Sequence, residues 1–197
     1  MEEGMSSTRI FLLVAGGLGI LYLIISKLQR ELADKEPKDR FLRLAGILLN
    51  RRGLKRFLPH RFTALCLDGV IGYDPINREL KTVRKLGRWP FEMLGHFPGR
   101  SLLPGHWQIE LCCLSGVMLY QFLNDGKAKG FAIFRTVDGV KFKESANPGD
   151  QLEITVRVEY HKPLRPFVFS GEIKSGGKVI MTVSKISGIV IDKTTNT

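Results

Sequence analysis

Two apolar stretches stand out along the chain: residues 10–25, and the run Leu111-Cys112-Cys113-Leu114-Ser115-Gly116-Val117-Met118-Leu119-Tyr120. The second belongs to a helix predicted over 105–123, closed by stop and turn chemistry at Asn124-Asp125-Gly126. A helix that is apolar on every face has to be wrapped by other structure. The wrapping is visible as strand patterns at 65–73, 79–85, 130–137, 141–144, 151–160, 166–174 and 178–191, with a turn at Asp74-Pro75-Ile76-Asn77. Within 151–160, Leu152, Ile154, Val156 and Val158 alternate with Glu153, Thr155, Arg157 and Glu159, the mark of a sheet with one covered face. The pattern predicts an α+β fold, a curved antiparallel sheet around one central helix.

The first stretch, 10–25, follows Arg9 and precedes Lys27 and Arg30. It is short for a spanning helix, which takes about 20 apolar residues, although about 17 suffice. Three readings compete: a single-pass anchor, a cleaved leader and a buried core helix. Lys27, Arg30, Lys35, Lys38, Arg40 and Arg43 all follow the run, which places the remainder of an anchored chain on the cytosolic, matrix or stromal side. The expectation is therefore a membrane anchor with the domain facing the cytoplasm, the alternative being a leader that targets a plastid or mitochondrion. Residues 39–52 form a basic amphipathic segment suited either to an anionic lipid surface or to packing on its own domain. The expected organisation is an anchor or leader over 1–26, a basic linker and amphipathic helix over 27–56, one globular domain over 57–192 and a tail over 193–197.

The formal charge of +11 over 197 residues favours an acidic partner: nucleic acid, anionic lipid or an acidic carrier protein. No nucleic-acid module or zinc-finger spacing accompanies it, so nucleic acid is set aside. Neither a metal nor a dissociable cofactor is implied. Cys66, Cys112 and Cys113 are not a disulfide framework, and the adjacent pair on the apolar helix reads as core in a reducing compartment.

The candidate chemistry lies between residues 95 and 110. His96 sits in a Gly/Pro-rich loop, and Glu110 puts one carboxylate into the first turns of the apolar helix. Burying such a group costs several kcal/mol, on the order given by transfer data, unless it is partnered or its pKa shifts. An imidazole and a buried carboxylate suffice to take a proton from carbon and deliver one to a leaving oxygen. Pro104-Gly105 opens the helix, so free N–H groups and the positive dipole end suit a carbonyl oxygen gaining negative charge.

The run His96-Phe97-Pro98-Gly99, Pro104-Gly105 and Glu110 resembles the active-site motif of β-hydroxyacyl-acyl-carrier-protein dehydratases of the FabZ type. Leu58-Pro59-His60-Arg61-Phe62 with Asp68, and Pro148-Gly149-Asp150-Gln151-Leu152, resemble two further motifs of that family, in order. The resemblance implies a hot-dog fold and a homodimer or higher homo-oligomer whose sites combine His96 of one subunit with Glu110 of the other. It implies that His96 takes the α-proton of a 3-hydroxyacyl thioester, that Glu110 assists loss of the β-hydroxyl, and that the Gly105 N–H holds the thioester oxygen. Phe97, Leu103, Ile109 and Cys113 would line the acyl tunnel, and Arg61, Arg88, Arg100, Lys141, Lys143 and Arg165 are candidates for docking the acyl carrier protein. His60 reads as structural, and His106 and His161 have no partner pattern. Leu114 and His106-Trp107-Gln108 depart from the family pattern around Glu110. The rival readings are a coenzyme A-linked hydratase or thioesterase on the same fold, and a non-catalytic membrane-associated acyl-carrier binding module.

Overall fold

Leu152, Ile154, Val156 and Val158 all turn inward, as their alternation predicts. They belong to β5 (Gln151–Tyr160), a middle strand of a seven-stranded antiparallel sheet. The computed structural model describes residues 48–88, 91–128, 130–160 and 167–191. Its elements are β1 (Leu49–Asn50), α1 (Arg51–Phe57), β2 (Gly69–Asp74), β3 (Glu79–Lys85), α2 (Gly105–Leu123), β4 (Phe131–Phe142), β5, β6 (Phe167–Ser175) and β7 (Lys178–Ile191). The sheet runs β1-β2-β3-β5-β6-β7-β4, so β4, which follows the helix in sequence, ends on an edge beside β7.

The central helix α2 spans the predicted residues and packs chiefly on β5, β3 and β6. Leu111, Cys112, Leu114, Met118 and Leu119 on its several faces are at most 2% exposed, which is what an all-round apolar helix requires. Close approach to β6 depends on two glycines. A Cβ on Gly116 would lie 2.2 Å from Cζ of Phe169, and one on Gly171 would lie 3.0 Å from Sγ of Cys112. One buried polar link joins helix and sheet: Ser115 Oγ donates to the Leu111 carbonyl at 2.7 Å and meets Thr82 Oγ1 at 2.7 Å.

The structure differs from the sequence reading at three places. The ladder of β2 begins at Gly69 rather than at residue 65, although Leu65, Cys66 and Leu67 are buried. Residues 131–142 form one long strand, not two, because Asp138-Gly139 is absorbed while pairing with β7 continues from Asp138↔Lys185 to Val140↔Val183. Gly139 takes the left-handed conformation, at φ 65°, without breaking the register, whose one shift lies earlier, between Phe134 and Thr136; a Cβ at Gly139 would crowd Ser184 Oγ at 2.6 Å. Thirdly, the end of the 39–52 segment is strand β1, and the helix comes after it: Asn50 caps α1 by accepting from Gly53 N at 3.0 Å, and Leu54 is fully buried.

Among the described residues no helix is long and apolar enough to cross a membrane. The 10–25 run, the linker up to residue 47 and the tail 193–197 lie outside the described residues.

Candidate active site

Loop chemistry fixes where His96 sits. A short 3-10 turn (Phe91–Met93) leads in, and the His96 N–H donates to the Met93 carbonyl at 3.0 Å, with Gly95 at φ 79° between them. Phe97-Pro98-Gly99-Arg100 then forms a reciprocally bonded turn, with Phe97 N to Arg100 O and Arg100 N to Phe97 O both at 3.1 Å. Proline second and glycine third at φ 80° is the sequence a type II turn demands. The Leu102 N–H returns to the His96 carbonyl at 3.0 Å, and the Leu103 N–H reaches the Ala146 carbonyl at 2.8 Å. The imidazole is half-buried and stacks on Phe97, ring centroids 4.2 Å apart, and its Nδ1 is buried without a hydrogen-bond partner.

A charge cluster missed by the sequence reading underlies this loop. Arg84 of β3 donates to Glu92, in the turn before His96, at 2.7 Å and to Asp68 at 3.3 Å. Asp68 also accepts from Lys85 N at 2.9 Å and from Arg51 of α1 at 3.3 Å. The side chains of Arg84, Glu92 and Asp68 are only 13%, 7% and 6% exposed, so the pairs are shielded from water. Of the four, the family motif singled out Asp68 alone. The available signal was an arginine at position 84 next to the inward-facing Val83, in a strand whose Thr82 is also buried.

Glu110 lies one turn into α2, half-buried, with no hydrogen bond or ion pair among the described residues. Burial pushes its carboxyl above the ordinary carboxylate range. Its charge in turn adds to the burial that holds the Cys66 and Cys113 thiols up at about 12, so both sulfurs are its neighbours and neither is a ready thiolate. Leu114 is fully buried, so the position that departs from the family pattern offers Glu110 no polar support.

Gly105 opens α2 behind Pro104, with no side-chain cap; the Trp107 N–H turns back to the Pro104 carbonyl at 3.1 Å, which leaves the Gly105 and His106 N–H groups for a ligand. Its missing side chain has a second reason beyond ligand approach: a Cβ would stand 2.6 Å from Cζ of Phe142 on β4. Of the expected tunnel residues, Phe97 is 55% exposed, Ile109 is half-buried, and Leu103 and Cys113 are buried.

The expected docking cations divide. Arg61 is engaged instead at the end of α1, donating to the Leu58 carbonyl at 2.7 Å, the His60 carbonyl at 2.8 Å and the Lys55 carbonyl at 3.2 Å. Arg88, Arg100, Lys141 and Lys143 are exposed, while Arg165 and His161 lie outside the described residues. Exposed His106 leans on Trp107, and buried Gln108 donates to the Leu103 carbonyl at 3.4 Å. Among the described residues, no three His, Cys, Asp or Glu side chains gather as a metal site would need.

The arrangement supplies an imidazole, a carboxyl whose proton affinity is raised by burial, and backbone donors at a helix start, the parts for eliminating water next to a thioester carbonyl. Known proteins agree. The ApeI-like family (ApeI dehydratase) matches residues 90–181. The dehydratase heterocomplex ApeI:P from Xenorhabdus doucetiae shares the fold, with a TM-score of 0.58, 20% identity and coverage of 72% of this chain and 92% of that one. The 3-hydroxyacyl-[acyl-carrier-protein] dehydratase FabZ of Natranaerobius thermophilus is 36% identical over 105 residues, 53% of this chain and 72% of that protein. Its namesake from Cupriavidus metallidurans is 30% identical over 143 residues, 70% of this chain and 95% of that protein, and with that extent of likeness the chain belongs to the FabZ family of hot-dog dehydratases.

Proposed function

We propose that this protein is a 3-hydroxyacyl-[acyl-carrier-protein] dehydratase, eliminating water to give the trans-2-enoyl thioester in fatty acid biosynthesis. The observation that carries the reading is the combination of a loop imidazole with unpartnered Nδ1, a half-buried carboxyl of raised proton affinity and a helix start with no side-chain cap, in a member of the FabZ family. First-turn N–H groups at Gly105 hold the thioester oxygen as it gains charge. His96 takes the α-proton; the C–H electron pair forms the new double bond, the β-C–O bond breaks, and Glu110 gives its proton to the departing hydroxyl as water. Solvent exchange returns the proton from His96 to Glu110. Leu114, which cannot hydrogen-bond the carboxylate, does nothing to offset the rise that burial gives the Glu110 pKa.

Two copies of the chain complete each site, His96 from one and Glu110 from the other. The edge strand β4 favours this pairing, since Phe131, Ile133 and Phe142 along it are 45%, 47% and 52% exposed in a lone chain. The excess positive charge, with Arg88, Arg100, Lys141 and Lys143 exposed, suits an acidic acyl carrier protein. Residues 10–25 tether the enzyme to a membrane with the domain on the cytosolic side, a reading supported by the uncharged run and the basic residues after it.

Turnover of carrier-linked 3-hydroxyacyl substrates by the full-length protein, followed by enoyl-thioester absorbance, tests the activity. His96→Ala and Glu110→Gln should each abolish it, and mixing the two inactive variants should restore part of it through mixed dimers. Activity that survives either substitution refutes the mechanism, and no recovery despite subunit exchange refutes the shared site. Release of the intact full-length protein from membranes by carbonate refutes the tether.

A further inference from the structure

A cavity of about 70 Å³ lies at the far end of α2 from Gly105, between the helix, α1 and β4. Its walls include Phe57, Val117 and Phe131, and three polar side chains line it, His60, Tyr120 and Gln121. Gln121 is 8% exposed; its Nε2 donates to the Ala128 carbonyl at 3.1 Å, which leaves Oε1 buried and unpartnered. Nδ1 of His60 is likewise buried without a partner, and burial, with Arg61 nearby, pushes this imidazole's pKa below the ordinary histidine range. Two unsatisfied polar atoms on one cavity are an exception that a ligand or water must answer.

The cavity lies in line with Glu110. Along α2 the residues at Glu110, Cys113, Val117 and Tyr120–Gln121 recur at spacings of three and four, one stripe of the helix. Cys113, Val117, Tyr120 and Gln121 are 4%, 5%, 8% and 8% exposed, against 0% for Cys112, Leu114, Met118 and Leu119 on the other faces. From Glu110 to Gln121 the stripe covers roughly 16 Å at the helical rise, a distance that takes an extended chain of about a dozen carbon–carbon bonds.

Building on the dehydratase reading, we propose that this cavity receives the distal end of the acyl chain and selects chains that end in a hydroxyl. A hydroxyl is donor and acceptor at once: it donates to Gln121 Oε1, which a keto oxygen cannot do, and either accepts from or donates to His60 Nδ1 according to the ring tautomer. The apolar walls take the methylenes before it. Water fills the cavity of the empty enzyme, which has room for several molecules at about 10–15 Å³ each. A hydroxyl reproduces the hydrogen bonds of the water it displaces, whereas a methyl end leaves both polar atoms unpaired.

The test uses two 3-hydroxytetradecanoyl carrier thioesters, one with a methyl end and one with a terminal hydroxyl. The wild-type enzyme should prefer the hydroxylated chain by about tenfold or more in kcat/KM, and Gln121→Met should bring that ratio to one or below. Equal or greater turnover of the methyl-ended chain by wild type overturns the proposal. Binding of the corresponding unreactive pantetheine thioethers, measured by calorimetry, gives the same ratio without turnover. Failure of the wild type on 3-hydroxybutyryl carrier would count against the dehydratase reading, while the thioether ratio still decides the cavity: a tenfold preference supports it, and equal affinities or no binding refute it.

Discussion

Replacing Gly116 by alanine sets two known effects against each other. Alanine is the better helix former, and in a helix interior the exchange gains about 0.5–1 kcal/mol. Against this, the new Cβ would stand 2.2, 2.5 and 2.6 Å from three ring carbons of Phe169, all well inside contact distance. The ring has nowhere to go. Phe169 is fully buried, stacked on Phe167 at 5.7 Å with 7° between the planes, and met edge-on by Phe134 at 6.2 Å. Overpacking of this kind typically costs about 1–3 kcal/mol, and the immobile ring places the cost in the upper half of that range. The net expectation is a loss of about 1–2 kcal/mol. For a unit of this size that lowers Tm by about 2–8 °C, and it lowers the urea midpoint with an unchanged m-value. In a Phe169→Leu background the same substitution should cost less, with a coupling energy of at least about 0.5 kcal/mol. An unchanged or raised midpoint for Gly116→Ala would show that the approach of β6 to the helix is not what excludes a side chain there.

Glu110→Gln should leave stability nearly unchanged at pH 4 and raise Tm at pH 8. Because burial raises the native pKa of Glu110, the wild type has the full benefit below the unfolded carboxylate pKa and loses it as pH rises through the native one, whereas glutamine does not titrate; equal Tm differences at both pH values would contradict this. Gly105→Ala should lower kcat by roughly a hundredfold or more through its effect on the helix start, with a smaller stability loss than Gly116→Ala, because the new Cβ meets the outer ring edge of Phe142 at 2.6 Å rather than a ring locked in the core of the chain. Activity assays and thermal melts on the two variants check both halves. Glu92→Ala should destabilise by about 1.5–3 kcal/mol, since it removes the shorter of the two Arg84 pairs and leaves the guanidinium only Asp68, which Arg51 shares; urea titration reads the loss, and a change below about 0.5 kcal/mol would show the pair to be solvated. Finally, with Cys66 and Cys113 pushed up to about 12 and Cys112 fully buried, no thiol should react with iodoacetamide at pH 8 until urea is added, when all three should. Mass spectrometry counts the adducts.

The central helix was legible because nothing in it invites solvent, and β5 because its alternation is unbroken. What misled was local chemistry overruled by pairing. Asp138-Gly139 reads as a turn, yet β7 is long enough to hold β4 straight through it, with Gly139 taking the left-handed conformation. Leu65-Cys66-Leu67 reads as strand and is buried like one, but the ladder starts only after Asp68, whose carboxylate collects Arg51, Arg84 and the Lys85 N–H. At the candidate site, His96, Gly105 and Glu110 were legible because their spacing in one short stretch is itself informative. The Arg84–Glu92 support was not, since a salt bridge between a strand and a loop leaves no periodic trace. Nor was the engagement of Arg61, whose exposed position concealed three carbonyl acceptors.

The edge position of β4 has a consequence for biosynthesis. α2 is made before any of β4 to β7, and β4 has to wait for its ladder partner, because Phe131 at its start pairs with Ile191, the last residue of β7. At about 5–20 residues per second, the 68 residues from 124 to 191 take roughly 3–14 s to make. For that interval an apolar helix with no face fit for water waits without most of its cover. The order of strands in this sheet therefore makes the nascent chain a client for chaperones, and it places the hazard of aggregation before the last strand is translated rather than after the protein is complete.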